Sequence, residues 1–222
     1  MKKIILLLLL TAALSTSAFA DMTIVQKITT GPLMGKPGKN ITATQYYKGT
    51  KSRIDSGPDT FALIDLTAGK MYTVDKTKKE VIVMSREMIH KTMEIGMTML
   101  GGSDFTVNKT GKLDTINGYK CEQYTIAGKS MNVVAWVSQD VDVKELDPFR
   151  SFAQDFIGKA LAGLPGIAIQ SESKFTLMGQ EISGSSQVLS ISKDSLSDSL
   201  FVIPADYKIK EMALPNLPNM QH

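Results

Sequence analysis

Few residues in this chain have the types and spacing that chemistry needs. The two histidines, His90 and His222, lie in distant stretches and do not make an imidazole metal site. Met93, Met97 and Met99 are close enough in sequence to offer thioethers to Cu(I), a soft ion. They are mixed with Ile89 and Ile95, however, and that mixture fits apolar packing, the commoner use of methionine. Asp140, Asp142, Glu145 and Asp147 form an acidic cluster without the glycine and alternating oxygens of a calcium loop. It reads as a solvated turn in which Asp147, just before Pro148, caps a helix. The segment Gly31–Lys36 resembles a phosphate loop, but its glycines are one residue too close and Pro37 stands where Ser or Thr would hold magnesium. Cys121 sits within a strand-like run with no histidine to activate it, and reads as a small buried hydrophobe. With no Gly-x-Ser-x-Gly elbow and no other nucleophile–base set, the expectation is a protein that is not an enzyme and uses no metal or cofactor.

The elements that position these residues are mostly strands. Gly111–Ser138 reads as a hairpin with its lead-in, because Asn117-Gly118 and Gly128 mark turns between runs of β-branched and aromatic residues. Its second run, Val133–Val137, is apolar at every position. This predicts a strand covered on both faces, in the middle of the sheet. Met22–Thr30 alternates as a strand does. Short runs at Ile41–Lys48, Lys51–Ile54, Thr60–Asp65, Lys70–Val74 and Glu80–Met84 are separated by turn signals and predict an antiparallel meander. Ser85–Leu100 predicts a helix capped by Ser85 and ended by Gly101-Gly102, with a Met-rich stripe and a weak point at Gly96. A second helix starts at Asp147-Pro148, carries Phe149, Phe152 and Phe156 at three- and four-residue steps, and ends by Pro165. Phe105–Gly111, Ile167–Met178, Glu181–Lys193 and Leu200–Ile203 complete the strands, and a proline-containing tail follows.

Composition sets the compartment and excludes some partners. Lys2 and Lys3, an apolar run over Ile4–Ala13, and Ala18-Phe19-Ala20 predict a signal peptide over residues 1–20. The exported protein is then periplasmic and begins at Asp21. With no cysteine at the cut it is not a lipoprotein, and no run is long enough for a stable membrane span. Without the two leader lysines, 23 basic residues face 22 acidic ones, which argues against nucleic acid as a partner. A single cysteine rules out an internal disulfide, so the expected domain, residues 21–209 followed by a tail over 210–222, depends on its apolar core.

Several short motifs carry a family resemblance: Tyr46-Tyr47-Lys48-Gly49 with Arg53-Ile54-Asp55, Gly69-Lys70-Met71-Tyr72-Thr73-Val74-Asp75, Ile116 to Tyr124 with Ala135-Trp136-Val137-Ser138, and Phe201 to Tyr207. In these the chain resembles the DUF4412 group of exported bacterial proteins, which is similar in fold to the periplasmic lipoprotein carriers LolA and LolB. The resemblance covers most of residues 22–208. It implies a mainly β (α+β) fold: a strongly curved antiparallel half-barrel sheet with about two helices on its concave face. Carriers of that fold hold acyl chains between sheet and helices. The Met-rich helix lies outside the matched motifs.

The resemblance and the surplus apolar helix faces together suggest a binding protein or carrier for a lipid or other apolar small molecule. Met88, Met93, Met97 and Met99 would form one wall, Phe149, Phe152 and Phe156 the opposite one, and Trp136 the floor or its back. The pattern leaves a hollow and a fully packed interior equally open. The alternative is a packed envelope scaffold that works through a protein partner, with the tail as one contact.

Overall fold

The computed structural model describes residues 21–32, 35–99, 101–102, 104–162, 164–177 and 179–212; for 155–162 and 177 it describes the backbone alone. The expected signal peptide and the tail beyond Met212, with His222, therefore lie outside the described residues. Twelve strands form one sheet: β1 Met22–Thr30, β2 Lys39–Lys48, β3 Lys51–Asp55, β4 Thr60–Asp65, β5 Lys70–Asp75, β6 Glu80–Ser85, β7 Thr106–Ile116, β8 Tyr119–Ala127, β9 Met131–Ser138, β10 Ile167–Leu177, β11 Gln180–Ser192 and β12 Lys208–Glu211. Helix α1 is Arg86–Met99 and helix α2 is Asp147–Ala162. The spatial order β12-β6-β5-β4-β3-β2-β1-β11-β10-β9-β8-β7 leaves β12 and β7 as edges, so the curved sheet stays unclosed. Every neighbour is antiparallel except β12, which runs parallel to β6. This is the expected half-barrel class.

Local chemistry sets most boundaries. Asn117 and Gly118 both take positive φ (51° and 83°), as the two-residue turn between β7 and β8 requires. The Ser85 hydroxyl accepts the Met88 N–H at 3.3 Å and so caps α1. At its other end the Gly102 N–H reaches the Met97 carbonyl at 2.9 Å.

Three expectations are corrected. Val133–Val137 is not central: β9 is third from the β7 edge, and β1 and β11 hold the middle through pairs such as Ile24 with Ile191. Val134 accordingly remains 37% exposed. Asp147 is not an N-cap: a 3-10 turn over Lys144–Leu146 runs straight into α2, and Asp147 already has helical φ and ψ of −58° and −41°. Leu200–Ile203 is not a strand: Asp198–Phe201 is a 3-10 turn, and the Ser197 side chain accepts the Ser199 N–H at its start. The strand comes later, as β12, which crosses the boundary expected at residue 209. Among the described residues no helix is long and apolar enough to cross a membrane.

The core divides by face. Side chains alternate along a strand, so Tyr46 and Tyr47 point opposite ways. Tyr46 packs against Phe61, Leu63, Val74, Val81 and Val83, which Phe201 covers together with Leu196, Leu200, Ile203 and Tyr207. Tyr47 packs against Met22, Ile24, Ile167, Ile169 and Val188.

Candidate functional site

The candidate site lies on the Tyr47 face of β2–β6, beneath the two helices. The register places Tyr47, Ser52, Ile64, Met71 and Met84 in one row across β2 to β6, and Gln45, Ile54, Ala62, Thr73 and Ile82 in the next. Ser52 is buried, but Ile54, Ala62, Ile64, Met71 and Met84 are only half-buried and Ile82 is 38% exposed. The floor is therefore apolar and incompletely covered.

Both helices reach this floor by few contacts. On α2, the Phe149 ring meets Tyr47 edge-on at 5.2 Å between centroids. The Tyr47 hydroxyl donates to Gln45 Oε1 at 2.5 Å. Burial pushes its pKa up to about 12, against the pull of Arg150. Arg150 ties α2 down by donating to the Gly166 carbonyl. Gly166 accepts this position because its φ is +106° and a Cβ there would stand 2.0 Å from the Ser138 carbonyl oxygen. The Arg86 guanidinium, on the first residue of α1, stands 5.7 Å from the centre of the Phe152 ring, so the helices meet at that point.

The two helices that carry the expected walls meet at Arg86 and Phe152. On α1, Ile89 is buried, Met88 and Met97 are half-buried, and Met93 and Met99 are 44% and 51% exposed. Ile89 is the one fully buried side chain of α1. Phe149 and Phe152 are half-buried on α2, while the side chain of Phe156 lies outside the described residues. Trp136 stands apart from the methionines and packs against the Met22 cluster.

The other residues singled out in the sequence have separate partners. Glu145 is buried and accepts Lys193 Nζ at 3.0 and 3.1 Å. Asp140 takes the Lys120 N–H, Asp142 takes that of Lys144, and Asp147 lies 3.9 Å from Arg150. Cys121 is buried and burial pushes its thiol pKa up, which keeps it protonated. It borders an open cleft of about 600 Å³ with Asp114, Lys120, Glu122 and Asp140. A smaller cleft of about 330 Å³, lined by Pro37, Phe175 and Ile182 with Lys36 and Lys39, opens beside the loop after β1.

The sequence reading missed the floor itself. Its signal was present: Tyr46-Tyr47, Leu63-Ile64, Met71-Tyr72 and Val83-Met84 are adjacent apolar pairs, and each pair supplies one side chain to each face.

A family model described as "Domain of unknown function (DUF4412)" matches residues 52–207. No curated protein matches the sequence. Similar solved structures include PNGF-II, 13% identical over 87% of this chain with a TM-score of 0.43; the match spans 31% of the PNGF-II chain. A LolA superfamily protein from Nitrosomonas europaea is 10% identical over 82% of this chain and 90% of its own, with a TM-score of 0.35. A DUF1329 family protein from Desulfovibrio piger is 12% identical over 84% of this chain and 91% of its own, with a TM-score of 0.36.

Proposed function

The chain belongs to the DUF4412 family, a domain of unknown function, and from its own geometry we propose that it is a periplasmic, non-enzymatic binding or carrier protein for a lipid or other hydrophobic ligand. The carrying observation is the half-covered apolar floor Ile54–Ile64–Met71–Met84 beneath a helix whose Met93 and Met99 are largely exposed. Apolar surface left against water on both sides of a groove gains about 25 cal/mol per Å² when a chain of methylenes fills it. The methionines adapt to ligands of different shape. The ligand lies between the curved sheet and the helices, with Met88, Met93, Met97 and Met99 on one side and Phe149 and Phe152 on the other. Residues 1–20 direct export.

Native mass spectrometry of the protein purified from the periplasm, with organic extraction of the same sample, tests this. A defined excess mass that extracts as lipid is expected; a clean apo mass with no uptake of a fluorescent fatty acid overturns it. Phe152→Asp is expected to abolish uptake. If it leaves folding and uptake both intact, the ligand does not lie between the helices and the sheet.

A second reading, an envelope scaffold working through a protein partner, draws support from the β7 edge, where Leu113 is 76% exposed. A stoichiometric partner lost on deletion of residues 210–222, together with a clean apo mass, would favour it.

A further inference from the structure

The chain has three arginines. Arg53 forms a two-pronged pair with Asp55, at 2.6 and 3.0 Å, and Arg150 donates to the Gly166 carbonyl. Arg86 differs: it is exposed, among the described residues no carboxylate pairs with it, and its guanidinium stands over the Phe152 ring. The adjacent Glu87 is turned to Lys91 at 2.8 Å. The guanidinium of Arg86 is nevertheless positioned. It lies across the turn between β4 and β5, where a Cβ on Gly69 would stand 3.6 Å from Arg86 Nε, and the φ of +63° there suits glycine.

That position is at one end of the groove. Arg86 follows Met84 and Ser85 directly, and Ser85 pairs with Lys70 just outside the row of Ile64, Met71 and Met84. An exposed arginine beside an incompletely covered apolar floor fits an oxyanion, which it can bind with two parallel N–H···O bonds. The first turn of α1 adds a small positive potential at the same place. Resting on the binding reading above, we propose that the ligand is an anionic amphiphile: its carboxylate or phosphate headgroup is taken by Arg86, and its acyl chain lies along Ile64, Met71 and Met84.

The test is calorimetric titration of the delipidated protein with dodecanoate, dodecyl phosphate and dodecanol, which share a chain length and differ in headgroup. The wild type is expected to prefer the anions by about tenfold or more, as charge-assisted hydrogen bonds allow. Arg86→Gln is expected to lose that preference and keep its affinity for dodecanol, and Arg86→Lys to recover part of it. The ratio of dodecanoate to dodecyl phosphate binding identifies which oxyanion is taken. Equal binding of all three probes, unchanged in Arg86→Gln, overturns the headgroup assignment and leaves the binding reading standing. If no probe binds the wild type, the binding reading falls and this inference falls with it.

Discussion

On one face of β2–β6, Phe61, Leu63, Val74, Val81 and Val83 are all under a tenth exposed; on the other, Ile54, Ile64, Met71 and Met84 are half-buried under two helices. The strands are the same and the apolar content is similar, so the difference lies in the covers. The sealed face is closed by the irregular segment around Leu196–Tyr207, which is tied down along its length. Lys48 Nζ donates to the Leu196 carbonyl at 2.6 Å, Arg53 to that of Leu200 at 2.9 Å, and Lys79 holds Asp206 at 2.7 Å. The Arg53 guanidinium also lies 3.9 Å from the centre of the Phe61 ring. The helix face is fixed at Tyr47 with Phe149 and at Arg86 with Phe152, and along α1 only Ile89 is fully buried. A cover held by many short polar ties excludes water from the surface beneath it, whereas a helix that fully buries one side chain leaves the floor beneath it partly wet.

The largest effect belongs to the sealed face. Phe201 is 5% exposed at the centre of its cluster. Phe201→Ala is expected to cost about 3–5 kcal/mol, by lost burial and the cavity left behind. Denaturant unfolding should show the midpoint falling with little change in the ligand affinity of the fraction that stays folded. A cost near zero would mean that the segment is a loose flap and that the two faces do not differ as described.

This asymmetry was only half legible in the sequence. Alternation gave β1 its observed bounds, Ser85 and Gly101-Gly102 framed α1, and Asn117-Gly118 fixed a hairpin, because these depend on residues close in the chain. The position of β9 was not legible. An apolar run reports burial rather than which strands lie alongside, and the centre of the sheet is set by β1 pairing with β11 from the far end of the chain. For the site, helical periodicity marked the methionines and phenylalanines, but Trp136 joined a different cluster. Pairs such as Leu63-Ile64 do not say which member will be sealed. That depends on where Phe201 lands, and a turn held by Ser197 and followed by Pro204 resembles a strand end when read only for apolar content.

Tyr47, where α2 closes the helix face, gives a smaller effect with a pH signature. Its folded pKa of about 12 lies above the ordinary value of 10.0. Such a tyrosine is neutral in both states below pH 10, so its contribution is fully present there. As the pH rises from 10 through 12 the unfolded state ionises first and stability falls, by about 3 kcal/mol at most for a shift of this size. Tyr47→Phe is expected to flatten that alkaline decline relative to the wild type, at the cost of leaving Gln45 Oε1 without its donor. Urea midpoints across the alkaline range check this. Parallel declines in the two proteins would show that Tyr47 is as wet as an exposed tyrosine and that α2 does not close its end of the groove.

The smallest effect on stability should accompany a clear effect on binding, and that dissociation is what separates the faces most directly. Ile64 lies in the row beneath the helices and is already partly hydrated, so Ile64→Ser removes little buried area on folding and leaves its hydroxyl in reach of water. The expected cost is about 1 kcal/mol or less, far below the Phe201→Ala value. A bound acyl chain, by contrast, would meet a hydroxyl in place of about three methyl-sized groups, which should weaken uptake of a fluorescent fatty acid by roughly tenfold. The adjacent Leu63 is 3% exposed on the sealed face, and Leu63→Ser should reverse the ranking, with a large loss of stability and unchanged affinity in whatever remains folded. If both substitutions destabilise equally and neither alters uptake, the helix face is a closed core like its opposite.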